Sequence, residues 1–513
     1  MGFLKSISAR LGITVFLLLL QVAAIITAVV LVLVHFPIVS YFAFVISILV
    51  FLYIVREDGA SGYKMVWITI VLLLPAIGGI LYLFYGKIHQ GRRLMVKHIE
   101  EHAIIAKLLD NDGNISFMKE MKSKRMFSLF KYIRHVTSYH AYDKTASKYY
   151  SFGEFMFEDM LLELEAAEKF IFFEYFIVKK SGMWDRLLDV LERKAAQGVE
   201  VRLIVDDFGS QKLFTNKYIK HLGEKNIKVL RFNPIIPVLY AFMNHRDHRK
   251  ILVVDGKTAF VGGLNIADEY INENDRLGIW KDNGLRLQGE GVFSFTLMFI
   301  EMWDTFSKPE ERINNHLSYQ VENLQETLTE QDGLVLPYGD SPLDNYQIGE
   351  DIYIDILNQA ENYVTIFTPY LIISEKMIHA LQTAAGRGVD VRIVTPGIPD
   401  KRLIFRLTRS YYKCLQEAGV RIFEYTPGFL HAKTFLCDDN VAVVGTINLD
   451  YRSLYLHFEC ACLLYHSSTI EAIKADAVET IGQCKEMLLS DKRKHVSWKD
   501  LIDAVLHLFA PLL

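Results

Sequence analysis

The chain has 513 residues, room for two or three domains, and 51% of them are hydrophobic, more than a purely water-soluble enzyme of this size carries. A formal net charge of −4, from 56 basic and 60 acidic residues, supplies no global positive field and argues against a nucleic-acid partner. The five cysteines, Cys414, Cys437, Cys460, Cys462 and Cys484, read as reduced thiols, and no second cysteine pair joins Cys460 and Cys462 to complete a zinc site.

Residues 13–34 hold no charge and one Gln, which is long enough to cross a bilayer. The run exceeds the roughly 7–15 residues of a signal-peptide core, and no small-residue cleavage site follows, so we read it as a span. Pro37 marks a turn before a second apolar run, 38–54. A third run, 65–85, contains Pro75, Gly78 and Gly79, which membrane helices tolerate. Residues 1–90 are thus expected to form a membrane anchor of three spans. Lys87, Arg92, Arg93 and Lys97 follow the third run and favour a cytoplasmic location for the rest of the chain. Lys5 and Arg10 favour the same side for the N-terminus, and three spans cannot satisfy both clusters. The larger downstream cluster decides the expected orientation.

Residues 91–140 are mixed and charged and read as a helical connector. From about 141 an α/β pattern begins. Helices are predicted over 160–167 and 184–197, and strands over 170–178 and 199–205. The stretch 244–261 then reads as a strand bearing a polar motif, and an amphipathic helix over 293–306 closes a first half, 141–306. A polar link, 307–335, leads to a second half, 336–485, with the same plan: helix 351–360, strand 363–368, helix 376–387, strand 389–395. Gly198-Val-Glu-Val-Arg202 and Gly388-Val-Asp-Val-Arg392 repeat one another. The remainder, 486–513, ends in a predicted helix with Trp498, Leu501, Ile502, Val505, Phe509 and Leu512 on one face, behind Lys492, Arg493 and Lys494. It suits a membrane surface or a site on the protein's own core equally well.

Each half carries His-x-Lys-x4-Asp: His248, Lys250 and Asp255 in the first, His431, Lys433 and Asp438 in the second. One such match arises by chance in roughly one chain of this length in twenty. Two matches, each with an Asn 17 positions after its His (Asn265 and Asn448), mark an internal duplication. Residues two apart on a strand share a face, so each half presents an imidazole beside an ammonium. Joined across a pseudo-twofold interface, two His, two Lys and two Asn surround one point. Lys250 and Lys433 would clamp a phosphate, the Asn side chains would donate to its oxygens, and the two His suit a nucleophile and a general acid. No metal or cofactor is needed. Asp255 and Asp438 lie seven positions after their His, an odd number that turns them to the other face. We read them as structural members of the catalytic motif, bonding backbone near the turn, with a direct catalytic role as the alternative. Arg246, Arg249, His245 and Arg452 either add positive potential or form an ordinary solvated rim.

These motifs, together with Phe-Phe-Glu174-Tyr175, Gly262-Gly263-Leu-Asn265, Trp280-Lys-Asp282, Gly445-Thr446-Ile-Asn448 and Phe-Glu459, resemble the phospholipase D superfamily. Over nearly the whole chain the resemblance is to its bacterial cardiolipin synthases. The second and third apolar runs, with Pro75, Gly78, Tyr82 and Gly86, look like the paired anchor of that family, and the first run looks like an extra span. The resemblance implies two pseudo-symmetric α/β/α halves sharing one active site behind N-terminal transmembrane helices, in a multi-pass protein of the bacterial cell membrane. It implies an orienting carboxylate for each imidazole, Asp282 in the first half and Glu459 in the second. The distances from the motif His differ, 34 positions against 28, so an insertion after Asn265 is expected, and Asp268 and Glu269 compete with Asp282. The implied reaction passes a phosphatidyl group through a phosphohistidine from one phosphatidylglycerol to another. His248 is the nucleophile and His431 the acid by analogy alone. A phospholipase D-type hydrolase or another phosphatidyltransferase would use the same residues. A nucleic-acid phosphodiesterase is disfavoured by the apolar runs, and a non-catalytic scaffold by the two intact motifs.

Overall fold

The computed structural model describes residues 9–57, 61–86, 92–110, 123–235, 241–313, 315–320, 332–344, 346–489 and 498–512. The chain divides into two compact units, one made of residues 1–95, 233–245 and 496–513, the other of 96–232 and 246–495.

In the first unit the uncharged runs form α1 (Ala9–His35) and α2 (Pro37–Arg56). Among the described residues, Ile38–Arg56 is the helix long and apolar enough to cross a membrane. The third run departs from the expected span. Pro75, which lacks an N–H, stops α3 (Ser61–Leu73), and the chain folds back as α4 (Pro75–Leu81) and a π-turn, Tyr82–Gly86. The fold-back is tight: a Cβ on Gly78 would lie 2.5 Å from the Ile70 carbonyl oxygen, so only glycine fits there. With 13 residues α3 is roughly 20 Å long, short of the ~30 Å hydrocarbon core. Both ends of this hairpin meet the C-terminal end of α2. Lys64 donates to the Val55 carbonyl at 3.3 Å, and the Tyr82 hydroxyl donates to Glu57. Val50, Ile54, Trp67, Val71 and Tyr82 form the core between these helices. The C-terminal helix, Trp498–Phe509, packs on α3, so it belongs to the anchor unit, with Leu501, Ile502 and Val505 exposed. The turn Ala241–Asn244, just ahead of the first motif, packs on Tyr82–Gly86.

The second unit holds both halves, each built on a mixed sheet. The first sheet runs in the order Thr145–Tyr150, Gly284–Gly289, Thr258–Gly262, Lys250–Val254, Phe170–Tyr175, Glu200–Asp206, Ile227–Phe232. The second runs Leu334–Asp340, His457–Tyr465, Val441–Gly445, Thr434–Cys437, Tyr363–Phe367, Asp390–Pro396, Arg421–Tyr425, and adds Cys484–Met487 at its edge. The order is the same strand for strand, as a duplicated sequence requires. The central strands are continuous Val, Ile, Leu and Phe because helices cover both faces of a layered α/β sheet.

Three expectations change at this level. The 293–306 segment forms a helix, Val292–Phe306, but it is buried on all sides up to Thr305, packed between the first sheet and strand Leu334–Asp340. A helix apolar all round belongs inside, and the polar face assumed for it does not exist. The connector is no spacer: Lys124–Thr137 buries Met126, Leu129, Phe130 and Ile133 against the second half, and Tyr132 donates to Asp351 at 2.6 Å. Residues 484–487, placed partly in the C-terminal segment, pair antiparallel with Arg421–Tyr425.

Candidate active site

Each motif begins in an extended segment and runs into a hairpin. His248 and His431 sit just ahead of strands Lys250–Val254 and Thr434–Cys437. Lys250 and Lys433 follow on the same face, and each ammonium donates to the carbonyl of its own motif His. The aspartates turn away, as their odd spacing requires. Asp255 accepts from the backbone N–H groups of Glu168, Lys169 and Phe170 at 2.7–2.9 Å. Asp438 does the same for Glu361, Asn362 and Tyr363 at 2.7–2.8 Å. Both have positive φ, 54° and 48°, a conformation that Asp tolerates in turns. They tie the motif hairpin to the start of the neighbouring strand and do not face the imidazoles.

The orienting carboxylates are the expected residues, but they are crossed. His248 Nδ1 pairs with Glu459 of the second half, 2.9 Å from both carboxylate oxygens. His431 Nδ1 pairs with Asp282 of the first half at 2.7 Å. The backbone explains the exchange. Arg246–Asp247 pairs parallel with His457–Phe458, and the His248 N–H donates to the Phe458 carbonyl at 2.9 Å. Gly428–Leu430 pairs parallel with Ile279–Lys281, and the His431 N–H donates to the Lys281 carbonyl at 2.7 Å. Each motif therefore lies beside the carboxylate-bearing strand of the other half. The competitors are engaged elsewhere: Asp268 accepts from the N–H groups of Gly182 and Met183, and Glu269 pairs with Lys179.

The supporting contacts are local. Ser453 donates to Glu459 at 2.6 Å, and so does Thr446. Asn283 N–H donates to Asp282 at 3.0 Å, and Gly263 lets the carboxylate in, since a Cβ there would stand 2.0 Å from Asp282 Oδ1. The hydroxyls of Thr446 and Ser453 were visible in the sequence but had no assigned role. Phe176 flanks His248 at 5.0 Å between ring centres, while Tyr270 and Trp280 flank His431 at 5.4 and 5.5 Å. The two asparagines differ from one another. Asn265 Oδ1 accepts from Ile177 N–H and its Nδ2 donates to Tyr270, so much of its capacity braces the fold. Asn448 is buried and its Oδ1 has no hydrogen-bond partner. The basic residues near the first motif are not an open rim. Arg249 is buried, 2.7 Å from Glu174, and Arg246 is buried near Asp206.

Burial and the neighbouring lysines hold both imidazoles neutral. His248 is pushed well below the ordinary histidine range, by desolvation first and then by Lys250 and Lys433. His431 is lowered to about 4, by desolvation and Lys433, with Asp282 opposing. Burial also lowers Lys250 to about 8 and Lys433 to about 7. Such a site gains most by receiving an anion that returns protons to the lysines. Among the described residues, His248, His457 and Glu459 bring metal-ligand atoms together, up to 4.8 Å apart. Ligands 2.0–2.2 Å from a zinc ion stand at most about 4 Å from each other, and the lysine field opposes a cation. The donor set is arranged for proton handling.

The sequence profile described as "Cardiolipin synthase, PLD-like domain" matches residues 160–291 and 353–479, one match in each half. A cardiolipin synthase of Halalkalibacterium halodurans is 31% identical over 478 residues, covering 91% of this chain and 92% of its own. The chain belongs to the cardiolipin synthase family. A second family member, from Alkalihalophilus pseudofirmus, is 31% identical over 460 residues, with 89% and 90% covered. An uncharacterized protein of Streptococcus mutans is 45% identical over 463 residues, with 90% and 99% covered. Residues 45–87 match the profile "Phospholipase_D-nuclease N-terminal", which places α2 and the hairpin within the family pattern. Together with the apolar helix Ile38–Arg56, family membership makes this a membrane-associated phosphatidyltransferase. The crystal structure of phosphatidylserine synthase from Haemophilus influenzae shares the fold, with a TM-score of 0.54 at 15% identity over 71% of this chain and 93% of its own.

Proposed function

We propose that this cardiolipin synthase moves a phosphatidyl group from one phosphatidylglycerol to another at the cytoplasmic face of the bacterial membrane, releasing glycerol. The observation that carries the reading is the crossed pair of buried imidazole–carboxylate contacts. Each Nδ1–H is committed to a carboxylate, which leaves each Nε2 lone pair for chemistry and stabilises an imidazolium when one forms. His248 attacks phosphorus. The bond to the headgroup oxygen breaks, and that oxygen leaves as glycerol with a proton from His431. His431 acquires this proton as the phosphate anion enters, because the anion offsets the lysine field. The phosphatidyl-His248 is then attacked by a hydroxyl of the second phosphatidylglycerol, whose proton goes to His431, and His248 is released. Lys250, Lys433 and Asn448 are the groups that face the phosphate oxygens. One phosphodiester is exchanged for another, so no nucleotide is consumed.

The anchor supports the cytoplasmic placement. With α1 and α2 crossing and the α3–α4 hairpin returning to the side where α2 ends, Arg10 at the start of α1 falls on the same side as Arg92 and Arg93, which follow the hairpin. The conflict between the two clusters disappears, and the protein is multi-pass with two spans and a re-entrant hairpin.

Purified protein in phosphatidylglycerol bilayers is expected to release glycerol and form cardiolipin in equal amounts. Phosphatidic acid as the main product would make it a hydrolase, and a strict need for a different phospholipid donor would overturn the substrate assignment.

A further inference from the structure

His457 is a third imidazole beside the two motif histidines. It stands two positions before Glu459 on strand His457–Tyr465, hence on the same face. Its ring centre is 5.5 Å from that of His248, and its side chain is about one-tenth exposed. Its Nδ1 is 3.8 Å from Glu459 Oε1, beyond hydrogen-bond reach, and neither ring nitrogen has a hydrogen-bond partner. Glu459 is already taken by His248, Ser453 and Thr446. A buried polar ring left unpaired in a native fold calls for a partner that arrives with a ligand.

The space for one is present. His457 forms part of the wall of a cavity of about 30 Å³, with Asp340, Asp344, Tyr346, Gln347 and Tyr455 among its other walls. That volume admits about two water-sized groups. Its lining is polar and offers both donors and acceptors. The two carboxyls are already partly committed: Asp340 accepts from Gly349 N–H and Asp344 from Tyr346 N–H, each at 2.8 Å. Burial moves Asp340 well above the ordinary carboxyl range and Asp344 to about 6, so the wall is less anionic than its composition suggests. With acceptors and donors in its walls, no lysine or arginine among the described lining residues, and room for two hydroxyls, the chamber suits a small polyol better than a phosphate.

We propose that this cavity is the glycerol subsite of the transferase, in which His457 hydrogen-bonds the free hydroxyls of the phosphatidylglycerol headgroup beside His248. The headgroup's two free hydroxyls match room for two water-sized groups, and His457, 5.5 Å from His248 between ring centres, would hold the alcohol close to the phosphohistidine. The inference rests on the cardiolipin synthase reading and names a residue that would favour transfer over hydrolysis.

The test compares full-length wild type, His457→Ala, His457→Gln and Gln347→Ala in phosphatidylglycerol bilayers, measuring the ratio of phosphatidic acid to cardiolipin and the glycerol concentration that drives the reverse reaction. His457→Ala is expected to raise the ratio about tenfold or more and to weaken the response to glycerol to a similar degree. His457→Gln, which keeps a donor and an acceptor, is expected to restore much of both. Binding of tungstate, an anion that probes the phosphate site alone, is expected to stay within a few-fold of wild type in every variant. An unchanged product ratio and glycerol response in His457→Ala overturn the subsite. If His457→Ala loses all turnover, Gln347→Ala carries the comparison, and a wild-type ratio there is equally fatal. A wild type that makes no cardiolipin fails at the earlier step and overturns the underlying function as well.

Discussion

Replacing Asp282 by Asn tests the crossed architecture directly. The carboxylate has no solvent-exposed side-chain surface and accepts from His431 Nδ1 at 2.7 Å. Despite its burial, the contacts with His431 and Lys433 hold it below the usual carboxylate range, so it is charged. The amide is nearly isosteric but removes that charge at the point where an imidazolium must form. Breaking a buried charge-assisted pair of this kind costs about 3–5 kcal/mol. At about 1.4 kcal/mol per factor of ten, a loss near 4 kcal/mol lowers turnover roughly 10³-fold. Because His431 is neutral until it acts, the loss is expected in kcat with KM little changed. Cardiolipin formation in phosphatidylglycerol bilayers measures the rate, and ¹⁵N spectra of the histidine side chains identify the ring affected. Asp282→Asn should shift the His431 ring and leave His248 in place, while Glu459→Gln should do the reverse. Turnover within tenfold of wild type, or a disturbance confined to His248, would refute the crossed pairing.

Three further outcomes follow from geometry. Asp255→Ala and Asp438→Ala each strand three backbone N–H groups, and the Asp255 set is the more buried. Thermal unfolding should show a loss of about 3 kcal/mol for the first and about 2 for the second, with activity per folded molecule largely kept. Lys433 titrates near 7 and Lys250 near 8, so an anion bound above pH 7 must draw protons onto them. Tungstate affinity should fall by up to about tenfold per pH unit between 7 and 8 and more steeply above, with proton uptake seen by calorimetry in buffers of different ionisation enthalpy; flat affinity or proton release contradicts this. For the anchor, Phe36→Cys should react with an impermeant thiol reagent from outside intact cells and Ser61→Cys only after the cytoplasm is opened. External labelling of Ser61→Cys eliminates the re-entrant hairpin.

Much of this was legible in the sequence for specific reasons. The duplication shows because the His, Lys, Asp and Asn recur at fixed offsets, and the two sheets accordingly share one strand order. The structural role of Asp255 and Asp438 follows from counting to an odd number on a strand. The exchange of Asp282 and Glu459 could not be counted, because it depends on which strands meet: Gly428–Leu430 pairs with a segment nearly 150 residues earlier. The hairpin at Pro75 was hidden for a different reason. Hydropathy is indifferent to direction, and a run of apolar residues reads the same whether it crosses or returns. Val292–Phe306 was misjudged because Glu301 and Asp304 interrupt its apolar run and suggest a wet face; Glu301 instead meets His102, and Asp304 meets Ile313 N–H and His316.

The exchange of carboxylates also sets when the site can be assembled. During synthesis the anchor is made first, then His248, Lys250 and Asp282. His248 lacks its orienting partner until Glu459 has been made, more than two hundred residues later, and Asp282 waits for His431. A nascent or truncated chain held at the lipid surface therefore carries half of each pair and a complete copy of neither. Neither pair forms until the last-made half has docked, so an interrupted product holds no complete imidazole–carboxylate pair.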